Sequence, residues 1–139
     1  MREIRFRAWD IENKVMCDVS HIFIANMVIP QTIMVSVGSE MKHCPDDAIL
    51  MQFTGLLDRH GNEIFEGDVV KTVLMGDEII GTVKYGEKWG CFYLAVTNKH
   101  GVQVALDSVF GWLYTDDAEE IVAEVIGNIY EHPEMLKET

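Results

Sequence analysis

The sequence predicts a mainly β protein: an antiparallel, SH3-like or related barrel or tightly bent sheet, with an N-terminal β-ribbon and a short C-terminal helical turn. Three observations carry this. Turn signals recur every eight to twelve residues or so, the spacing of short antiparallel strands. The runs between them are rich in Val, Ile, Phe and Tyr, which suit a pleated, half-buried surface. The stretch from Met51 to Lys71 is divided by Gly55, Gly61 and Gly67, six residues apart, into short apolar pieces.

In chain order, Ile4 to Asp10 alternates with period two. Ile4, Phe6 and Ala8 share one face; Arg5, Arg7 and Trp9 share the other. Asp10 to Lys14 reads as a turn and Val15 to Val19 as the returning strand. Trp9 reads as a packing residue rather than a ligand platform. His21 to Val37 contains Pro30, which breaks a helix, so two short strands are expected around it. Gly38 to Asp47 is polar, contains Pro45, and reads as a mobile connection between the ribbon and the main body. A single domain over residues 1–139 is expected, with the ribbon at about 1–45 and the barrel-like body at about 46–139.

Asp58-Arg59-His60-Gly61-Asn62 reads as a tight turn, because Asp hydrogen-bonds the following backbone and Gly accepts a positive φ. Phe65 to Asp68 is a second turn around Gly67. Strands follow at Val69 to Met75, Glu78 to Tyr85, Cys91 to Thr97 and Val102 to Leu106. Gly76-Asp77, Gly86 to Gly90 and Asn98 to Gly101 form the turns between them. After an acidic stretch from Asp116 to Glu120, Ile121 to Tyr130 makes a closing strand, in which Gly127 marks a bulge or a close backbone approach. Pro133 to Lys137 forms one helical turn with proline at its start.

Composition narrows the function classes. At 139 residues the chain buries roughly 68% of the surface it exposes when unfolded, enough for a core. Cys17, Cys44 and Cys91 are odd in number and widely spaced, as reduced thiols would be. Residues 1–7 alternate like a strand rather than opening a leader, and the apolar run from Ile22 to Pro30 is too short to span a bilayer. A soluble, intracellular protein is expected. The formal net charge of −12 repels nucleic acid and anionic membrane. It leaves two readings, solubility or attraction to a basic partner protein.

Candidate chemistry is thin. Cys17 and His21 are four apart and His43 adjoins Cys44, yet the paired spacing of structural zinc sites is missing. Cys91 opens an alternating apolar strand and reads as core. Asp58, His60, Glu63, Glu66 and Asp68 lie close in sequence, but turn formation accounts for Asp58 and Asp68 without catalysis. Ser36, Ser39 and Ser108 sit in no nucleophile elbow, and no glycine-rich nucleotide loop is present. No residue is assigned a catalytic, cofactor-binding or metal-ligating role.

Three stretches together resemble the YopX family of bacteriophage and prophage proteins. They are Ile4-Arg5-Phe6-Arg7-Ala8-Trp9-Asp10, Met51-Gln52-Phe53-Thr54-Gly55-Leu56 continuing through Glu66-Gly67-Asp68-Val69-Val70, and Glu124-Val125-Ile126-Gly127-Asn128-Ile129-Tyr130-Glu131. Their order spans nearly the whole chain. The resemblance implies a mainly β fold, occurrence in phage or prophage genomes, and therefore the cytoplasm of a bacterial host. It implies no catalytic residue and no established biochemical role. The reading that follows is a non-enzymatic, protein-binding accessory protein whose partner is a basic host or phage protein. Neither direct nucleic-acid binding nor membrane binding is expected, and a homo-oligomer is possible. The alternative is an enzyme of unrecognised type acting on nucleotides or nucleic acid during phage replication.

Overall fold

The computed structural model describes residues 1–25, 32–97, 103–106, 109–115, 117 and 119–136. Among these lie twelve β-strands, one five-residue helix and one 3-10 turn, in two compact units, Met1–Phe53 and Thr54–Thr139. The fold is mostly β and antiparallel.

In the first unit, β1 (Phe6–Asp10) and β2 (Val15–Asp18) form the expected hairpin, with Arg7 opposite Asp18 and Asp10 opposite Val15. Asp10 closes its turn. The Lys14 N–H donates to the Asp10 carbonyl at 2.8 Å, and the Asn13 N–H and side-chain amide donate to its carboxylate at 3.1 and 2.9 Å. On its other side β1 pairs with the start of β6 (Ala48–Leu57), Asp10 opposite Ala48 and Phe6 opposite Gln52. The strands expected around Pro30 are β3 (His21–Ala25) and β4 (Thr32–Val37), Pro30 itself lying outside the described residues.

The connection expected over Gly38 to Asp47 is instead largely a strand. β5 (Glu40–Cys44) pairs with β4 from Val37↔Glu40 to Ile33↔Cys44. Composition misleads here because local geometry overrides it. Gly38, at φ +61°, returns the chain at once, and Glu40-Met41-Lys42-His43-Cys44 alternates so that Lys42 and Cys44 share a face. Cys44 packs beside the small core of Ala8, Val35 and Ala48, with Ile22, Ile33 and Leu50 around it.

In the second unit, β8 (Asp68–Leu74), β9 (Asp77–Gly86), β10 (Cys91–Thr97), β11 (Gln103–Leu106) and β12 (Glu124–Asn128) form an antiparallel sheet of order β11-β10-β9-β8-β12, curled as a half-barrel. The remainder of β6 neighbours β7 (Glu63–Phe65). Gly67 takes φ +82° between β7 and β8. Its N–H donates to the Val83 carbonyl and its own carbonyl accepts from the Ile129 N–H, each at 2.9 Å. The β8–β9 turn falls one residue earlier than Gly76-Asp77. Its two central residues are Met75 and Gly76, both at positive φ (51° and 83°), the pair of conformations that matches strand twist in a two-residue hairpin.

Gly127 is a bulge, as expected. Val125 faces Val70 but Gly127 faces Val69, and a β-carbon on Gly127 would lie 2.8 Å from both His132 Nδ1 and Met135 Sδ. The sequence reading did not anticipate α1 (Val109–Leu113), whose Trp112 and Leu113 complete the core of Ile64, Val70, Val83, Leu94 and Ala123. The C-terminal helical turn is a 3-10 turn, Pro133–Leu136. The turn expected at Asn98 to Gly101 lies outside the described residues, as do Val102, Ser108 and Asp116. No helix among the described residues is long and apolar enough to cross a membrane.

Candidate functional site

The central acidic cluster does not converge. Asp58 is 3% exposed and its carboxylate is occupied by the backbone. Oδ1 accepts from the His60 and Asn62 N–H groups at 2.9 and 2.8 Å. Oδ2 accepts from the Val125 N–H at 2.9 Å and, weakly, from the Asn62 side-chain amide at 3.4 Å. Burial pushes the Asp58 carboxyl up, but the Val125, Asn62 and His60 N–H groups together outweigh it, so it sits below the ordinary carboxylate value. Asp58 therefore staples the β6–β7 turn to β12. Asp68, also buried, accepts from the Phe65 N–H at 2.8 Å. Glu63 is exposed, and His60 Nε2 meets Glu124 Oε1 at 3.5 Å on the surface. Two acids of this stretch thus face inward and build turns.

Nor do Cys17, His21, His43 and Cys44 assemble. His21 Nδ1 is 3.1 Å from Ser20 Oγ, and the His43 N–H reaches Asp47. Burial raises the thiol pKa of both Cys17 and Cys44, with nearby aspartates adding to it, so neither favours the thiolate that metal binding needs. The described residues hold no group of three or more His, Cys, Asp or Glu placed to share an ion. Cys91 is half-buried at the start of β10 rather than in the core.

Sequence reasoning passed over Lys42. Its ammonium lies 3.3 Å from Glu40, 3.6 Å from Asp10 and 3.7 Å from Glu12, with the side chain almost covered. The Glu40 hydrogen bond raises its pKa against burial, with the charges of Asp10 and Glu12 helping. Asp10 is lowered, chiefly by Asn13. A lysine tuned for proton transfer or Schiff-base chemistry is shifted the other way. These five groups, Asp10, Cys17, Lys42, Cys44 and Asp58, all move away from the range useful near neutral pH.

The exposed chemistry lies at the tip of the β9–β10 hairpin. Gly86 pairs with Cys91, and the four-residue loop between them is closed by the Trp89 and Gly90 N–H groups donating to the Gly86 carbonyl at 3.1 and 2.8 Å. Gly90, at φ +66°, supplies the left-handed residue that returns the chain to β10. Trp89 is folded back over the hairpin. A β-carbon on Gly86 would come within 2.6 Å of its indole Cε3, so the ring lies where only glycine leaves room. Trp89 meets Tyr93 edge to face, centroids 5.3 Å apart at 83°. Tyr85 meets Phe92 at the same distance and 71°. Tyr85, Gly86, Glu87, Lys88, Trp89 and Tyr93 line an open cleft of about 290 Å³. Trp89 is 54% exposed and Tyr85 46%. The signal in the sequence was a tryptophan inside a Gly-flanked turn, where polar residues prevail.

The sequence model of the family described as YopX protein matches residues 5–137. Among solved structures, the chain is similar to protein EF1440 from Enterococcus faecalis, with 24% identity over 98% of this chain and 99% of that one and a TM-score of 0.58. It is also similar to protein yopX from Bacillus subtilis, with 23% identity over 98% and 99% of the two chains and a TM-score of 0.52. At these identities the two structures speak for the fold alone. No curated protein matches the chain. With a family match running almost from end to end, the chain belongs to the YopX protein family.

Proposed function

We propose that the protein is a non-enzymatic binding module of phage or prophage origin that engages a basic protein surface through the β9–β10 hairpin. The observation that supports this most directly is the exposed aromatic cleft around Trp89 and Tyr85. Large aromatic side chains at a hairpin tip cost solvation, and such residues are enriched where a partner covers them. The charge of −12 favours a cationic surface and repels the phosphates of nucleic acids, whose bases would otherwise compete for stacking on the same rings. The acidic stretch adds to this field, since Asp117, Glu119 and Glu120 are exposed.

A fluorescent arginine- and lysine-rich peptide tests the reading by stopped-flow mixing over a range of salt concentrations. The association rate is expected to fall as salt rises, because screening shortens to about 8 Å near 0.15 M. Neutralising Asp116, Asp117, Glu119 and Glu120 together is expected to slow association and flatten that dependence. A salt dependence that survives the quadruple change rules this segment out as a source of the steering field. Tight binding of DNA or RNA at moderate salt overturns the charge argument.

A further inference from the structure

We infer that the cleft at the β9–β10 tip takes one arginine side chain from an extended segment of the partner, an inference that rests on the hairpin being the binding site. The geometry of the rings argues for a cation. Trp89 and Tyr93 stand at 83°, so they form two walls of a corner rather than a flat stack, and Tyr85 borders the same space. Ring faces are the negative end of the aromatic quadrupole. The edge-to-face contact covers part of one face, and a cation is attracted to the ring surface that the exposed Trp89 and Tyr85 still offer at the cleft. The cleft is open and, at about 290 Å³, below the usual range of ligand sites, so it has room for a side chain but does not enclose a cofactor.

The rim argues for a guanidinium over an ammonium. Tyr85, Tyr93 and Glu87 are among the lining residues, and each carries an oxygen able to accept a hydrogen bond. A planar guanidinium stacks on a ring while its edge donates several hydrogen bonds in fixed directions, whereas an ammonium is a compact and more strongly hydrated point charge. Lys88 lines the same cleft, so the rim itself is neutral. Selectivity for a cation therefore comes from the ring faces and from the long-range field of a chain with net charge −12. Two opposite signs follow. Removing the Lys88 charge strengthens binding, and removing the Glu87 charge weakens it.

The test is a set of short peptides, otherwise identical and uncharged, with Arg, Lys, citrulline or norleucine at the central position. Each is titrated into the isotopically labelled protein while the Trp89 indole N–H is followed by NMR. The Arg peptide is expected to shift that resonance saturably and to bind about tenfold more tightly than citrulline, its neutral isostere. Lys88→Gln should tighten the Arg peptide and Glu87→Gln loosen it. Trp89→Ala, which removes that reporter, is followed by the backbone amides of Gly86 and Tyr93 instead and should show no saturable shift. Gly86→Ala should act likewise, because the added β-carbon displaces the indole; unchanged dispersion elsewhere in the spectrum checks the fold of both variants.

Equal binding of Arg and citrulline overturns the inference, and so does a Lys peptide that binds as well as Arg. If the Arg- and Lys-rich probe still binds Trp89→Ala with undiminished affinity, the arginine cleft is refuted and the basic-partner reading keeps its charge argument but loses the Trp89 cleft as its site. If no cationic probe binds the wild-type protein, both fall.

Discussion

Asp58 offers the sharpest test of how the second unit is held together. Three backbone N–H groups and one side-chain amide converge on its carboxylate, and the Val125 bond reaches across 67 positions of sequence. Hydrogen bonds to an ionised group contribute about 1.5–3 kcal/mol each, but the N–H groups of the exposed His60–Asn62 turn regain water when the acceptor is lost. Val125, in β12, regains less. Asp58→Ala should therefore cost about 2–4 kcal/mol. Asp58→Asn keeps one acceptor but turns an amide donor either toward the Val125 N–H or toward those of His60 and Asn62, and should cost about 1–3 kcal/mol.

Urea denaturation reads both variants. With a slope of about 1–3 kcal/mol per molar, the Ala midpoint should fall by about 1–2 M. The pH dependence adds an independent check. Asp58 is held below the ordinary carboxylate value in the fold, so its contribution is fully present above the unfolded value of about 3.9 and is lost as pH falls through the lower folded value. The gap between wild type and Asp58→Asn should narrow over that acid range. An unmoved midpoint for Asp58→Ala, or parallel pH profiles for wild type and Asp58→Asn, would refute the staple.

Two further outcomes follow from the backbone and the sheet edges. Gly67→Val, forced to φ +82°, should destabilise by about 1–3 kcal/mol, read as a lower denaturant midpoint with unchanged slope. Self-association is expected through the N-terminal strands, where among the described residues β3 and β5 are edge strands and Phe23 and Met41 are exposed. Light scattering should then give a mass above 15.8 kDa at micromolar concentration, and a value of 15.8 kDa would count against it.

Much of the fold was legible because its turns are written locally. Gly67 and Gly90 hold left-handed positions and Asp58 folds onto its own turn, so each announces itself within five residues. What escaped the sequence depends on distant partners or on short range. The Val125 N–H that completes Asp58 comes from β12, and nothing near Asp58 points to it. α1 is too short for a helical period to emerge, and it exists because Trp112 and Leu113 fill the half-barrel core. β5 was hidden by its polarity, since Lys42 sits inward only because Asp10, Glu12 and Glu40 surround it. The cleft was hidden for a related reason. Gly86 and Trp89 read separately as turn punctuation, and their meaning lies in the indole lying where a β-carbon would be.

Where the aromatic residues sit matters as much as their number. β9 and β10 are paired without interruption from Gly81↔Val96 to Gly86↔Cys91, and Val83 and Leu94, opposite each other, are almost wholly buried. The hairpin tip is thus anchored by core packing only a few residues away. Tyr85 is held against Phe92, Trp89 against Tyr93, and the indole against Gly86, so three rings that would be free on a loose loop are already restricted before any partner arrives. Immobilising a rotamer-rich side chain on binding costs about 0.5–1.5 kcal/mol, and aromatic residues with two torsions begin with less to lose. Folding has already met much of that cost here. A small cleft can then hold a single cationic side chain usefully, because its weak attraction is not consumed in ordering the walls.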